Sequence, residues 1–203
     1  MNVFSEGPRA KQKRETREAI LEAARAEFEA EGFDGANMRA IAKRAGVAAG
    51  TIIHHFGGKR ELLHAAFFAD LDDVLQRALS KTGPGSLEAR LGRLSRAVFG
   101  YYLERPALSR TQLKESLFAA PPWADRFGAQ VEQVHTTVAD WVAEAMAAGE
   151  LAPSGEPPLI AASYLSFFYF ALLGWARGSV DAPEAMVASL MAHHLRALRT
   201  ESP

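Results

Sequence analysis

The stretch AIAKRAGVAAGTIIHHFGGK, residues 40–59, combines helical apolar spacing with four glycines and two adjacent histidines. Glycine weakens helices, so Gly46, Gly50, Gly57 and Gly58 must punctuate the chain or permit a close approach. Met38, Ile41, Ala42 and Ala45 form the inner face of a short helix over 38–45, and Asn37 is placed to cap it. Gly46 sits where that helix ends, a position that favours a left-handed backbone. Val47 follows and can plug the angle to a third helix, from about Ala49 to His55. Two short helices joined by a tight glycine turn form a helix-turn-helix, here over about 37–56. The third helix has about two turns, too few to be stable alone. Ile52 and Phe56 are four apart, share a face and must hold it. The other side shows Ala49, Gly50, Thr51, Ile53, His54 and His55. Small residues at the front and polar ones behind suit a DNA major groove. By composition alone, a solvated short helix is equally ordinary.

Working outward, helical periodicity dominates the 203 residues and no strand alternation stands out, so an all-α fold of about nine helices is expected. An amphipathic helix over 13–31 buries Ile20, Leu21, Ala24 and Phe28, and Gly32 stops it. After Gly57-Gly58 a long helix covers 59–80. KTGPGS, 81–86, is a loop, and Ser86 can cap a helix that ends near Arg105-Pro106. Further helices are expected over 107–119, from Pro121-Pro122 to Ala148, over 158–177 after the loop 149–157, and to about Leu198. Asp181 and Glu184 have capping-box spacing for the last. The expected division is a DNA-binding domain, 1–58, and a larger C-terminal domain, 59–203, with 59–80 as connecting helix.

Net charge is only −1, but it is unevenly placed. Residues 1–60 hold eleven Lys/Arg and eight Asp/Glu; the remainder holds twelve and sixteen. Residues 35–60 contain Arg39, Lys43, Arg44, Lys59 and Arg60 and no acid. A small basic unit joined to an acidic body points to a polyanionic partner for the first. There is no cysteine, which excludes disulfides, thiolate metal sites and thiol catalysis. The opening residues, MNVFSEGPRAKQKRE, lack an apolar signal core, so a cytoplasmic location is expected. His54-His55 and His193-His194 are adjacent, about 100° apart on a helix, a poor spacing for shared metal ligation. With no HExxH, GxSxG, phosphate loop or dinucleotide fingerprint, neither a metal nor a cofactor nor an enzyme is expected.

The segment TREAILEAARAEFEAEGFDGANMRAIAKRAGVAAGTIIHHFGGKRELLHAAF, residues 16–68, resembles the DNA-binding domain of TetR-family transcriptional regulators. The resemblance is carried by Ile20-Leu21, Ala23-Ala24, Phe28, Gly32-Phe33, Ile41-Ala42, Ala45-Gly46-Val47, Gly50-Thr51, Phe56, Lys59 and Leu62. It implies that Arg39, Ala49, Gly50, Ile53 and His54 face bases and that Thr51, His55 and Lys59 hold phosphates. Two positions depart from the family pattern. Ile53 stands where a DNA-touching Tyr is usual, and Ala36 where a Thr is frequent. Ile53 cannot donate a hydrogen bond to phosphate but could meet a thymine methyl.

Residues 157–176, PPLIAASYLSFFYFALLGWA, are uncharged for twenty positions, long enough to span a bilayer. Two prolines open the segment, Ser163, Tyr164 and Ser166 interrupt it, and a DNA reader needs a soluble setting. A helix buried by its own domain and a second subunit fits better. The resemblance implies that the last two helices form a four-helix dimer interface, with Tyr164, Phe168, Leu172, Trp175 and Met191 as its expected residues. The middle of the chain is rich in aromatics, which describes a ligand pocket and an ordinary core equally. The resemblance favours a pocket, and Tyr102, Trp123, Phe127, His135 and Trp141 are its candidate lining. His135 could instead be a hydrogen-bonded core histidine.

The combined reading is a homodimeric, ligand-responsive repressor that binds a palindromic double-stranded operator and is released by a small hydrophobic or aromatic inducer. The helix over 59–80 would transmit the change. The rivals are a regulator switched by a protein partner and a helical enzyme using His135. Arg39 pairs most naturally with guanine, so Arg39→Ala should relax base preference at one position per half-site, as read by selection from a random duplex pool. An unaltered preference would remove Arg39 from the reading set.

Overall fold

The computed structural model describes residues 7–80, 85–153 and 155–199. Nine α-helices and no strands occur among the described residues. They are α1 (Pro8–Gly35), α2 (Met38–Ala45), α3 (Ala49–Phe56), α4 (Lys59–Ser80), α5 (Leu87–Glu104), α6 (Pro106–Ser116), α7 (Trp123–Ala147), α8 (Pro157–Ala176) and α9 (Pro183–Arg196). The loop expected over 81–86 lies mostly outside the described residues, as does Ser154 in the second loop.

The chain forms two compact units. One takes in the residues through Asp70 together with Arg105–Ala119; the other takes in Leu71–Glu104 and the residues from Ala120 onward. This division departs from the expected boundary at residue 58 in two ways. The first half of α4 packs with the helix-turn-helix, because Leu62, Leu63, Ala66 and Phe67 are buried there with Ile20, Phe28, Ile41 and Ile52. And α6, distant in sequence, packs on α1. Glu29 Oε2 accepts from the Leu108 backbone N at 2.8 Å, and Arg105 pairs with Glu22 at 3.5 Å. Side-chain acceptors on α1 thus satisfy a donor of α6's first turn, which has no capping side chain of its own.

Most helix ends follow from their residues. Gly32 is the one non-helical residue in α1 (φ 68, ψ −177), but a final turn resumes to Gly35, past the expected end at 31. Asn37 caps α2, its Oδ1 accepting from Arg39 N at 2.9 Å. Gly46 takes the left-handed conformation (φ 68, ψ 30). Ser86 Oγ accepts from Ala89 N at 3.3 Å. The capping box expected at Asp181 and Glu184 does not form. Pro183 occupies the first turn of α9 with Ala182 as N-cap, so the acceptor is one residue out of register.

In the second unit α8 packs against both α7 and α9, and α5 against α9. Its core includes Phe99 stacked on Phe168, ring centroids 4.4 Å apart, beside Leu94, Val138, Tyr164, Leu172 and Met191. α8 is long and apolar enough to cross a membrane. One stripe of it is core and the opposite stripe is not: Leu159, Phe170 and Leu173 are exposed at 62%, 63% and 40%.

Candidate functional site: a DNA-reading face and an apolar cleft

The helix-turn-helix is assembled by contacts that hold α3 rather than by α3 itself. Ile52 is fully buried, and the Arg17 guanidinium of α1 lies 4.8 Å from the Phe56 ring centroid. The turn entering α2 is fixed twice over. The buried Glu27 accepts from Asn37 N at 3.1 Å. Lys59 Nζ donates to the carbonyls of Asp34 and Ala36 at 3.2 and 3.1 Å and stands 4.8 Å from the Phe33 ring centroid. Sequence reasoning missed Glu27, since a buried acid in a charged amphipathic run has no local signature. It also assigned Lys59 to phosphate alone. The ammonium also donates inward, bridging the two sides of the turn, because its stem rises from the first residue of α4 directly beside that turn.

With these contacts made, one surface remains. Arg39, Ala49, Gly50, Ile53 and His54 are exposed, and Thr51, His55 and Lys59 are half-buried. Ile53 shows 51% of its surface, unusual for a branched aliphatic side chain on a packed helix. A Cβ added at Gly50 would meet nothing within 4 Å, so no internal packing asks for glycine there. Burial is the largest influence lowering the His55 pKa, followed by the charges of His54, Lys13 and Arg17. These influences disfavour the imidazolium form. Among the described residues, no three His, Asp or Glu side chains gather as metal ligands.

The second unit contains an apolar cleft with a cavity volume of about 60 Å³. α4 contributes Leu71 and Leu75; α5 contributes Leu94, Val98 and Tyr102; α7 contributes Phe127, Gln130, Val131 and Val134; α8 contributes Tyr164, Leu165, Phe168, Tyr169 and Leu172. Of the five expected lining residues, Tyr102 and Phe127 are present and three are not. Trp141 is buried lower on α7 under the Arg90 guanidinium, 4.7 Å from its ring centroid. His135 lies one residue, about 100°, from Val134 and turns away; its Nε2–H donates to the Pro158 carbonyl at 3.0 Å. Trp123 packs with Arg126 at the start of α7.

A second correction is linked to the first. Tyr164, Phe168, Leu172, Trp175 and Met191, expected at a subunit interface, are all buried within this chain, none more than 8% exposed. Three of them wall the cleft. α8 is apolar on every side, so the sequence held no polar stripe to say which face turns inward. Tyr164 is bonded to Ser95 through their hydroxyls at 3.0 Å, and burial pushes its pKa upward. Burial likewise pushes Tyr169 up to about 12.

A two-helix reader on a basic unit, joined to a helical unit with an apolar cleft, defines a helix-turn-helix transcriptional regulator. The comparisons agree. Residues 20–66 match the family model of bacterial regulatory proteins, tetR family. The chain is 32% identical to the transcriptional repressor KstR of Mycobacterium tuberculosis over 167 residues, 80% of this chain and 71% of that one. It shares its fold with a TetR-family regulator of Pectobacterium atrosepticum (TM-score 0.74, 21% identity, 95% and 98% of the two chains). It also does so with the FadR regulator of Bacillus subtilis, solved in complex with stearoyl-CoA (TM-score 0.69, 16% identity, 90% and 99%). The chain belongs to the tetR family of bacterial regulatory proteins; it is a DNA-binding transcriptional regulator and not an enzyme.

Two outcomes follow for the reading face. Gly50→Ala should leave folding stability equal or raise it by up to about 1 kcal/mol, while lowering DNA affinity about tenfold or more, as measured by denaturant titration and duplex binding. Loss of stability in step with affinity would mean that Gly50 serves the fold. For His55 the sign is set by its lowered pKa. Phosphate contact favours imidazolium, so DNA binding takes up a proton, and affinity should rise as pH falls from about 7.5 towards 5.5. The contribution of His55 to the stability of the free protein should run the opposite way, falling as pH drops below the ordinary histidine value. His55→Gln should flatten the affinity slope; an unchanged slope would place His55 away from phosphate.

Proposed function

We propose that this regulator is a homodimeric repressor that reads a palindromic operator with α3 and is released by a small, mainly apolar inducer held in the cleft of the second unit. The cleft is the observation that carries the reading. A packed helical core leaves few voids larger than a water molecule, and this one is lined almost wholly by Leu, Val and aromatic side chains. The stearoyl-CoA in the B. subtilis FadR structure carries a long apolar acyl chain on a charged coenzyme A head, and its acyl part supports an apolar ligand on a fold of this kind. The DNA-reading part belongs to the first unit, and α4 runs from that unit into the sensor.

α4 is the element through which the two functions communicate. Arg25 of α1 holds Asp70 with two hydrogen bonds, from Nε at 2.8 Å and from Nη2. Two residues on, Asp72 accepts from Arg126 at 3.1 Å and from Gln130, both on α7. Successive carboxylates on one helix are therefore tied to the reader and to the wall of the cleft. An inducer that favours a different α7 position changes the α4 position as well, and it releases DNA only in so far as it binds the DNA-free form more tightly. Ligand and DNA must then weaken each other by equal factors. A library of neutral hydrophobic compounds, scored by thermal stabilisation of the free protein and by loss of duplex binding, tests this. Stabilisation without any loss of DNA affinity would defeat the inducer reading.

The dimer contact is assigned to the outward stripe of α8, Leu159, Ser163, Ser166, Phe170 and Leu173, with the small residues Ala185, Ala188 and Ser189 of α9. All are exposed or half-buried in the single chain. An exposed Phe in a row with two Leu residues is costly in water and is relieved by a second copy. Phe170→Asp should leave the melting temperature of the sensor core nearly unchanged but shift the protein to monomer in sedimentation at micromolar concentration, with operator affinity falling at least tenfold. A Phe170→Asp protein that stays dimeric would move the interface elsewhere.

A further inference from the structure

The cleft wall is aliphatic and aromatic, with three tyrosines and a single amide, Gln130, and the amide has a defined polarity. Gln130 on α7 is 7% exposed and lines the cleft. Its Nε2 donates to Asp72 Oδ1. Asp72 also takes Arg126 Nη2 on its other oxygen at 3.1 Å. A carboxylate engaged by a guanidinium accepts and does not donate, so the amide of Gln130 cannot be turned around: it must present its NH2 group to Asp72. Its carbonyl is then the atom left over. Gln130 Oε1 is buried without a hydrogen-bond partner. A buried acceptor left unsatisfied is destabilising, and a site that keeps one gains when a ligand supplies the donor.

The rest of the wall limits what that ligand can be. The described residues lining the cleft include no Lys, Arg or His. The Tyr164 hydroxyl is bonded to Ser95, away from the need at Gln130. An anionic head beside Gln130 would meet a carbonyl oxygen, and behind it the Asp72 carboxylate, with only Arg126 to offset them. A neutral acceptor such as an ether or ester would leave two oxygens facing each other. A hydroxyl or N–H fits.

We propose that the cleft binds an uncharged, largely apolar ligand carrying a hydroxyl or N–H group, and that Gln130 Oε1, oriented by Asp72, accepts the hydrogen bond from that group. The inference rests on the reading of this cleft as the inducer site, and it adds which polar function the inducer carries and which residue reads it. Gln130 acts as the specificity-determining residue, while the aliphatic and aromatic walls supply most of the affinity without distinguishing a donor from an acceptor.

The test uses the full-length protein and three probes of one shape: 4-phenylphenol, a donor; 4-methoxybiphenyl, an acceptor only; and biphenyl-4-carboxylate, an anion. Binding is followed by tryptophan fluorescence and by thermal shift. The expected order is 4-phenylphenol first, about tenfold or more tighter than the methoxy compound, with the carboxylate weakest. Gln130→Met, close in volume and lacking the acceptor, should abolish the preference while keeping binding of 4-methoxybiphenyl. Gln130→Leu serves as the second variant if the Met protein does not fold. Binding of all three with no donor preference, or a preference that survives both substitutions, overturns the role of Gln130 and leaves the cleft as ligand site intact. Failure of all three probes to bind the wild-type protein overturns the inducer site itself, and this inference with it.

Discussion

Eight residues do not hold an α-helix together in water, and α3 has eight. Everything in the first unit answers to that constraint. Ile52 gives α3 its one fully buried anchor, and Arg17 closes over Phe56 at its far end. Gly46 sets the angle of approach from α2. The α1–α2 turn, in its place, is held by a buried acid and an inward-facing lysine, Glu27 and Lys59. A helix that is held from one side is open on the other. That is how a reading surface of Ala49, Gly50, Ile53 and His54 can stay exposed without the helix unwinding. Ile53 stays in the open on that side.

The second unit solves a different problem with α8. A helix apolar on every side must be covered on every side. Along one stripe the cover comes from α7 and α9, and between α8 and its neighbours a cleft remains. Along the other stripe, Leu159, Phe170 and Leu173 are exposed among the described residues. The same sequence property, absence of charge over twenty residues, therefore serves a pocket on one face and leaves a sticky surface on the other.

Between these tasks stands α4. Asp70 and Asp72 are too close in sequence to move independently on a helix, yet one is tied to α1 and the other to α7. The Arg25–Asp70 pair is partly buried, and removing one partner would leave a charge without compensation, whereas the exposed Arg126–Asp72 pair contributes little. The polar group in the cleft wall, Gln130, is bonded directly to one of them.

Much of this was legible in the residues. The helix-turn-helix could be placed to within a residue, since Asn37, Gly46 and Gly57 act locally through capping and backbone conformation, and apolar spacing marks Ile41 and Ile52 as inward. Helical content and the connecting helix were legible for the same reason. What stayed hidden depends on neighbours far along the chain. Nothing near Lys59 says that its ammonium turns to the carbonyls of Asp34 and Ala36. Nothing near Arg105 says that α6 joins α1, because that contact is made by Glu22 and Glu29 some eighty positions earlier. The five residues assigned to a subunit contact proved to be core and cleft wall: four lie on α8, a uniformly apolar helix that carries no mark of which side faces in, and Met191 is buried on α9. The sequence by itself determined the elements whose ends and faces are set by local backbone chemistry. The tertiary structure alone decided which apolar face became core, cleft or open surface, because burial is a property of pairs of elements and not of either one.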